Sequence, residues 1–366
     1  MTAPTALTGG PAAFLQKQFA WHRLDGDSRA LRIGFLARAR TRKIASFPSG
    51  MPPVVDFFAL VSRFLSPRAA GVCARSTRLL VLMLLCGGTV RAEIVVTDAT
   101  GARVRLAAPA RRIVSLAPHI TEVLFAAGAG DRIVGTVDYS NYPPAAKNIR
   151  RVGSYAQLDM EAVAALKPDL VIAWQAGNAS AHVDKLRAFG LTIYTTQPDR
   201  VEDIASSLEQ FGRLAGTDAD ATAAARAFRA RLAQLRARYE HRPPVRVFYQ
   251  VWKNPLTTVN GQQIISDAIR LCGGVNVFAD LPGLAPTISA EAVLAANPEA
   301  IIASGMGDER PDWLDDWRRW KQITAATRDN LFFIPPDIIQ RHTPRLLEGS
   351  ERLCVQLETV REKRGR

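Results

Sequence analysis

From about residue 110 onward, short apolar runs alternate with segments of mixed polarity. The apolar runs of the first half predict buried strands, and they are residues 113–116, 133–137, 170–174 and 192–195. The segments between them predict helices, which cover residues 121–127, 160–166 and 179–189. Ahead of this unit, residues 94–96 and 103–106 flank a turn at Gly101 and predict a hairpin. Strands alternating with helices through short connections predict an α/β fold with a parallel sheet covered on both faces.

The second half repeats this alternation. Its predicted strands are residues 245–250, 300–303 and 331–334. A helix over residues 264–271 is expected to end at Gly273 and Gly274. A closing helix is predicted over residues 343–360, with Pro344 in its first turn.

A long uninterrupted segment lies between the halves. Residues 218–239 contain no Gly or Pro, are rich in Ala, Arg and Leu, and are followed by Pro243 and Pro244. They predict one helix of about six turns. Such a helix is either an ordinary surface helix or a stiff connector between two lobes. The connector interpretation divides this part of the chain into an N-terminal lobe (93–217), a connecting helix (218–241) and a C-terminal lobe (242–366).

Residues 75–92 resemble a secretory signal peptide. Arg75 and Arg78 precede an apolar run over residues 79–85, and small side chains near Ala92 favour cleavage after it. The run is too short for a membrane span. A lipoprotein is the alternative, because Cys86 follows the run, although Leu85 stands where a small residue is expected. Residues 1–74 precede this signal, and we interpret them as an extension from a misplaced start codon or as a disordered tail.

Charge and cysteines agree with export. The net charge is +13, but residues 1–92 hold 13 Lys and Arg against three acidic residues, so the rest of the chain is nearly balanced. A nucleic-acid-binding function is therefore not indicated. Beyond the signal, only Cys272 and Cys354 remain. In an oxidising compartment they suggest one disulfide, which would add about 4 kcal/mol of stability, and two buried free thiols are the alternative.

An internal duplication relates the two halves. Residues 161–174 (EAVAALKPDLVIAW) and 291–304 (EAVLAANPEAIIAS) are identical at seven of fourteen positions. Each predicts a helix, a Pro-containing turn and a buried strand, which suggests the same unit in each lobe. Glu161 and Glu291 then begin equivalent helices. They either stabilise the helix N-termini or form two docking points for a symmetric partner.

Aromatic residues gather near predicted strand ends and in loops: Tyr139, Tyr142, Tyr155, Trp174 and Trp252. Ligands of α/β domains bind beyond the carboxyl ends of strands. The set therefore suits a large, flat, partly apolar ligand in a cleft between the lobes.

Signatures of the common enzyme classes are absent from the sequence. It has no G-x-S-x-G elbow, P-loop or H-E-x-x-H motif. The histidines beyond the signal do not form a zinc pattern, and each is expected in a loop or at the surface; they are His119, His182, His241 and His342. We therefore predict a binding protein without catalytic residues, metal site or cofactor.

Several motifs together resemble the periplasmic cobalamin-binding proteins of ABC importers. These are IVSLAPHITEVLF (113–125), DYSNYPP (138–144), KPDLVIAWQAGN (167–178), CGGVNVF (272–278) and Pro344-Arg345. The resemblance implies two Rossmann-like lobes joined by one long rigid helix. It also implies a monomer in the periplasm that captures cobalamin as transported ligand and delivers it to the permease and ATPase of an importer.

The resemblance assigns roles to individual residues. It implies ligand contacts by Tyr139, Tyr155 and Trp174, and by a loop of Asp337, Ile338, Ile339, Gln340 and Arg341. It matches Cys272 and Cys354 to a family disulfide, and Glu161 and Glu291 to the acidic pair that meets arginines on the permease.

The chain also departs from the family pattern. Aromatic residues and a Glu are usual where Ile338, Ile339 and Gln340 stand, and a Trp expected near Ala285 is missing. Trp252, where a small residue is usual, is expected to compensate as a pocket wall. The alternatives are a haem or ferric-siderophore binder of the same fold, with Arg341 and Arg345 facing the cleft, or a tetrapyrrole-handling enzyme or metal chaperone.

Overall fold

The computed structural model describes residues 93–154, 157–305 and 307–364. The predictions for residues 1–92, including the signal peptide and Cys86, lie outside the described residues, as does Tyr155. Within the described part of the chain, no helix is long and apolar enough to span a membrane.

The N-terminal lobe begins with an antiparallel hairpin of β1 (Ile94–Thr97) and β2 (Arg103–Leu106). Its other strands are β3 (Ile113–Ser115), β4 (Ile133–Thr136), β5 (Leu170–Trp174) and β6 (Ile193–Thr196). Its helices are α1 (Pro118–Ala126), α2 (Met160–Ala165), α3 (Ser180–Ala188) and α4 (Asp203–Ala215). Short 3-10 helices cover Gly130–Arg132 and Pro144–Asn148.

The sheet of this lobe is parallel throughout, with strand order β4-β3-β5-β6. Alternate residues of β5 enter two separate apolar clusters, Leu170 and Ile172 on one face and Val171 and Ala173 on the other. Every residue of β5 is buried. The sheet is therefore covered on both faces, as its unbroken apolar runs predict.

The connecting helix α5 spans Asp218–Tyr239, the range predicted from the sequence. One side of it is buried and lies in an apolar cluster that includes residues of both lobes, such as Leu208 and Ile269. The helix therefore does more than join the lobes, because its buried face continues the core from one into the other.

The C-terminal lobe contains β7 (Val245–Gln250), β8 (Gly274–Asn276), β9 (Ala300–Ala303) and β10 (Leu331–Phe333). Its helices are α6 (Ile264–Leu271), α7 (Ala290–Ala296), α8 (Thr324–Thr327), α9 (Pro336–Ile339) and α10 (Leu346–Arg364), with a 3-10 helix over Asp312–Arg319. The sheet is again parallel, with order β10-β9-β7-β8. The fold is thus α/β, with two parallel-sheet lobes and one long helix between them.

The two sheets share one topology. Read in reverse, the second order is β8-β7-β9-β10, which matches β4-β3-β5-β6 strand for strand. The α2–β5 and α7–β9 units therefore occupy the same position in each lobe. Both helices are capped in the same way: Asp159 accepts a hydrogen bond from Ala162 N at 2.9 Å, and Ser289 accepts one from Ala292 N at 3.3 Å.

The likeness extends to the turns that follow these helices. Lys167 and Asn297 both have positive φ, 46° and 40°, at equivalent positions. Arg112 lies just before strand β3, and Arg246 lies near the start of strand β7. Each donates a hydrogen bond to a carbonyl at the end of the helix of its own lobe, α2 or α7. The caps and the positive-φ residues recur at the interval of the sequence repeat, and the arginine contacts recur in the same place in each lobe, which supports duplication of the whole unit.

Some predicted boundaries were wrong. Helix α1 begins at Pro118 instead of residue 121. Proline is suited to the first position of a helix, because backbone N–H groups in the first turn have no partner within the helix and the missing one is not needed. The closing helix begins at Leu346, after a turn that includes Pro344. Helix α4 and the short strand β8 were not predicted, although α4 has apolar residues at helical spacing and ends at Gly216 with φ 66°.

The predicted disulfide is confirmed. Cys272, at the end of α6, is bonded to Cys354 in α10. Both residues are fully buried. The bond therefore fixes the closing helix to the C-terminal lobe.

Candidate functional site in the interlobe cleft

Three aromatic rings from the two lobes meet where the carboxyl ends of β3 and β5 face the C-terminal lobe. His119 lies edge-on to Trp174 with ring centroids 5.0 Å apart, and to His342 at 5.1 Å. Trp174 and His342 are 5.5 Å apart. All three side chains are buried. This trio forms the floor of the cleft.

Local structure places the trio. His119 lies in the first turn of α1, directly after β3, and Trp174 is the last residue of β5. Strands β3 and β5 are parallel neighbours, so their carboxyl ends meet at one edge. Asn178 joins these ends: its Oδ1 accepts from Trp174 N at 2.7 Å and its Nδ2 donates to Leu116 O at 2.9 Å. The AWQAGN sequence therefore holds Trp174 beside α1.

Buried polar atoms without a hydrogen-bond partner gather around the floor. Within the described residues these include His119 Nε2, Trp174 Nε1, Gln263 Nε2 and Thr343 Oγ1. Each unpaired buried group costs about 1–3 kcal/mol. Groups of this kind are expected where a bound molecule or water completes the hydrogen bonding.

The two histidines of the trio are neutral at pH 7. Burial lowers the pKa of His119 well below its ordinary value, and the nearby His342 and Arg341 lower it further. Burial lowers the pKa of His342 to about 4. The expectation of a loop or surface position was wrong for His119, which is buried in α1, and correct for His342, which lies in a loop although the lobes bury it. His241 is exposed, as expected.

A charged cluster joins the lobes beside this floor. Glu122 of α1 is only 3% exposed and accepts two hydrogen bonds from Arg345 of the C-terminal lobe, at 2.7 and 2.8 Å. Arg341 lies 3.9 Å from the same carboxylate. The Arg345 guanidinium also lies over the ring of Tyr142, 3.8 Å from its centroid. Both arginines that the haem or siderophore alternative places in the cleft are thus already paired with acidic groups.

Tyr139 lies at the mouth of the cleft. Its side chain is 56% exposed, and its φ of 64° is in a region that bulky residues rarely adopt. Arg341 from the other lobe donates to the Tyr139 carbonyl at 3.3 Å and to Asn141 at 2.8 Å. The Tyr139 ring is therefore exposed on a backbone that contacts from the other lobe hold in place.

The residues of the predicted 337–341 loop are buried to different extents. Asp337 and Arg341 are ion-paired at 2.8 Å and approach the cleft. Ile338 and Ile339 are buried in the apolar core, and Gln340 is buried beside them. The prediction of a loop was wrong for Asp337, Ile338 and Ile339, which belong to helix α9, and the two isoleucines pack in the core.

Trp252 has different neighbours from the trio. Its ring lies edge-on to Trp313 at 6.4 Å, and its Nε1 donates to Asn254 O at 3.1 Å. The predicted pocket residues therefore separate into Trp174 at the floor, Tyr139 at the mouth, and Trp252 in a second aromatic pair.

The lobes lie close together above the floor. A cavity lined from both lobes, by Trp174 and Pro198 on one side and Gln263, Leu284 and His342 on the other, has a volume of only about 10 Å³, room for about one water molecule. Sites for drug-sized ligands are typically about 300–1,000 Å³. A large ligand can therefore enter only after the lobes separate.

Comparison with known proteins identifies the family. A family model described as periplasmic binding protein matches residues 113–338. The chain belongs to the periplasmic binding protein family.

Similar proteins agree over most of their length. The vitamin B12-binding protein of Vibrio cholerae is 38% identical over 256 residues, which cover 70% of this chain and 92% of that protein. The crystal structure of the periplasmic vitamin B12 binding protein BtuF of Vibrio cholerae matches with a TM-score of 0.65 and 37% identity, covering 69% of this chain and 98% of that one. The heme-binding protein RhuT from Roseiflexus matches with a TM-score of 0.61 at 23% identity, covering 68% and 98%, which shows the shared fold alone.

This periplasmic binding protein exposes an acidic residue at the same corner of each lobe. Glu161 and Glu291 lie in the first turns of α2 and α7, and both side chains are exposed. The equivalence of the two units makes the corners alike, as the sequence repeat predicts.

No group of three or more His, Cys, Asp or Glu suited to a metal ion occurs within the described residues. The sequence reasoning also missed the interlobe roles of His119, His342 and Glu122. A signal was present for two of them, because His119 follows Pro118 just beyond the end of the predicted strand 113–116, and Glu122 lies about one helical turn later.

Proposed function

We propose that this chain is a periplasmic solute-binding protein that captures cobalamin and delivers it to an ABC importer. The observation that carries the proposal is the similarity to a vitamin B12-binding protein over 92% of that protein's length. The family match over residues 113–338 includes the connecting helix and most of both lobes. Under this proposal the chain carries its ligand without turnover and needs no cofactor.

The cleft supports a large, partly apolar cargo. Trp174 supplies a flat apolar surface at the floor and an indole N–H that lacks an acceptor. Tyr139 supplies an exposed ring at the mouth, and Asp337 and Arg341 supply polar groups at the rim. Because the closed cavity is too small for a corrinoid, binding requires a hinge motion that separates the lobes.

The haem and siderophore alternatives have less support. A ferric siderophore would call for unpaired cationic groups, and Arg341 and Arg345 are paired with Asp337 and Glu122. The haem-binding neighbour at 23% identity supports the fold without indicating a cargo.

Calorimetric titration with cyanocobalamin, with haem as the competing cargo, tests the proposal. We expect saturable one-to-one binding that Trp174→Ala weakens by about tenfold or more, because the floor loses its aromatic surface. Trp320→Ala is the matched control, since Trp320 packs against Arg319 at the end of the 3-10 helix. Absence of corrinoid binding, or tight binding of haem alone, would overturn the proposal.

Delivery is proposed to use Glu161 and Glu291. Reversing both charges should abolish transport and leave binding unchanged, because both residues are exposed on helices at the outer corners of the repeats. Glu348→Lys on α10 is the control for a general charge effect. Loss of binding in the double variant would contradict a docking role.

Export itself predicts a mature N-terminus at Glu93, which N-terminal sequencing of the periplasmic protein would detect.

A further inference from the structure

His119 has the properties of a metal ligand held ready in the cleft. Its Nε2 is buried and has no hydrogen-bond partner within the described residues. The ring is held between Trp174 and His342 by edge-on contacts at 5.0 and 5.1 Å. A buried imidazole nitrogen without a partner requires a physical explanation, since it forgoes a hydrogen bond that water would supply.

The protonation state fits coordination. Burial keeps the pKa of His119 well below its ordinary value, so the ring is neutral at pH 7. A neutral imidazole offers one nitrogen lone pair and is the commonest protein ligand for metals. A free metal ion would require several such donors, and no suitable group occurs in the described residues. A metal already held in the plane of a macrocycle requires only an axial donor.

We propose that His119 Nε2 binds the open axial position of the metal in the cargo, a corrinoid if the proposed function holds. The imidazole lone pair forms a nitrogen–cobalt bond, and the water that occupied that position leaves. The oxidation state of cobalt does not change, and no further reactant is required. The cleft therefore favours corrinoids whose axial position is open or exchangeable.

His119 is the donor instead of His342 because of its position. It shares the N-terminal lobe with Trp174 and Tyr139, so it keeps its place beside the floor when the lobes separate. His342 belongs to the other lobe and moves away with it. His342 lines the small interlobe cavity, but of these two histidines His119 is the one with a buried ring nitrogen that has no hydrogen-bond partner.

The test uses aquocobinamide, a corrinoid that lacks the nucleotide base and carries exchangeable water on cobalt. The full chain is purified without a histidine tag and titrated with this probe while the visible absorption spectrum is recorded. We expect the bands of the bound probe to shift toward those of the probe in excess free imidazole. His119→Ala and the bulkier His119→Leu should bind the probe without this shift, and their thermal unfolding is measured to verify that they fold.

His241→Ala, which replaces an exposed histidine, is the control and should retain the shift. His342→Ala tests the rival donor: loss of the shift in that variant, with the shift retained in His119→Ala, would overturn the assignment. If wild-type protein binds corrinoids without the shift, or if the His119 variants retain it, the axial role is wrong and the proposed function stands. If neither aquocobinamide nor cyanocobalamin binds, the proposed function fails and the axial role fails with it.

Discussion

The ion pair between Glu122 and Arg345 predicts a large and specific loss of stability. Glu122 is 3% exposed and its partner's side chain 20% exposed, so water screens this pair only slightly. The pair is bidentate, with both carboxylate oxygens accepting from the guanidinium. Glu122→Gln keeps the size of the side chain and removes the charge. Arg345 and the neighbouring Arg341 would then face each other without the compensating carboxylate.

Breaking a buried pair by removing one partner costs about 3–5 kcal/mol. We expect the lower end, about 3 kcal/mol, because Arg345 keeps its contact with the Tyr142 ring and part of its hydration. For a folded part of this size, that loss lowers the melting temperature by about 5 °C.

Urea denaturation of the wild type and of matched variants measures the effect. Glu348→Gln is the control, since the Glu348–Arg352 pair has a similar length of 2.8 Å but both side chains are about half exposed. It should cost only about 0.5 kcal/mol. A double-mutant cycle with Arg345→Met should show strong coupling, so that the double variant is little worse than Glu122→Gln alone.

A clear result would refute this reasoning. If Glu122→Gln destabilises the protein no more than Glu348→Gln does, the carboxylate is not buried against Arg345 in solution. Small-angle scattering of the wild type would then be expected to show separated lobes instead of the closed form.

Further expected outcomes concern pH, the disulfide and helix packing. His342 takes up a proton near pH 6.5 in the unfolded chain but only near pH 4 in the folded chain. Acidification between these values therefore lowers the unfolding free energy by about 3 kcal/mol. Curves of stability against pH for His342→Ala should lack this loss. Replacing Cys272 and Cys354 by Ser should cost about 4 kcal/mol in denaturant titrations, and an unchanged midpoint would contradict the crosslink. Gly212→Ala should lower the free energy of unfolding by about 1–3 kcal/mol, because its Cβ would lie 2.2 Å from the Ala221 side chain of α5. Thermal melting measures the loss. Gly307→Ala is the control and should be neutral, because a Cβ there meets no atom within 4 Å.

Local patterns in the sequence determined the elements of this protein. The apolar runs identified strand β5 with its observed bounds, and the absence of Gly and Pro over 218–239 identified α5. These predictions succeeded because backbone hydrogen bonding and helix propensity depend on neighbouring residues. The repeat between residues 161–174 and 291–304 also indicated equivalent units, which the matched strand orders confirm.

Short or irregular elements were harder to predict. Strand β8 has only three residues and begins with Gly274, so its pairing with β7 depends on the sheet and not on its own sequence. The start of α10 at Leu346 reflects the preceding segment, in which Arg341 and Arg345 reach the other lobe.

The tertiary structure alone decided how the cleft is built. His119 and His342 are 223 positions apart in the chain, as are Glu122 and Arg345, and no local pattern predicts that either pair meets. Their contacts exist because the parallel strands place their carboxyl ends at one edge and α5 holds the lobes face to face. Burial then removes the charge from the histidines and strengthens the ion pair. The sequence therefore specified the two lobes and their elements, while the chemistry of the cleft arose from long-range packing.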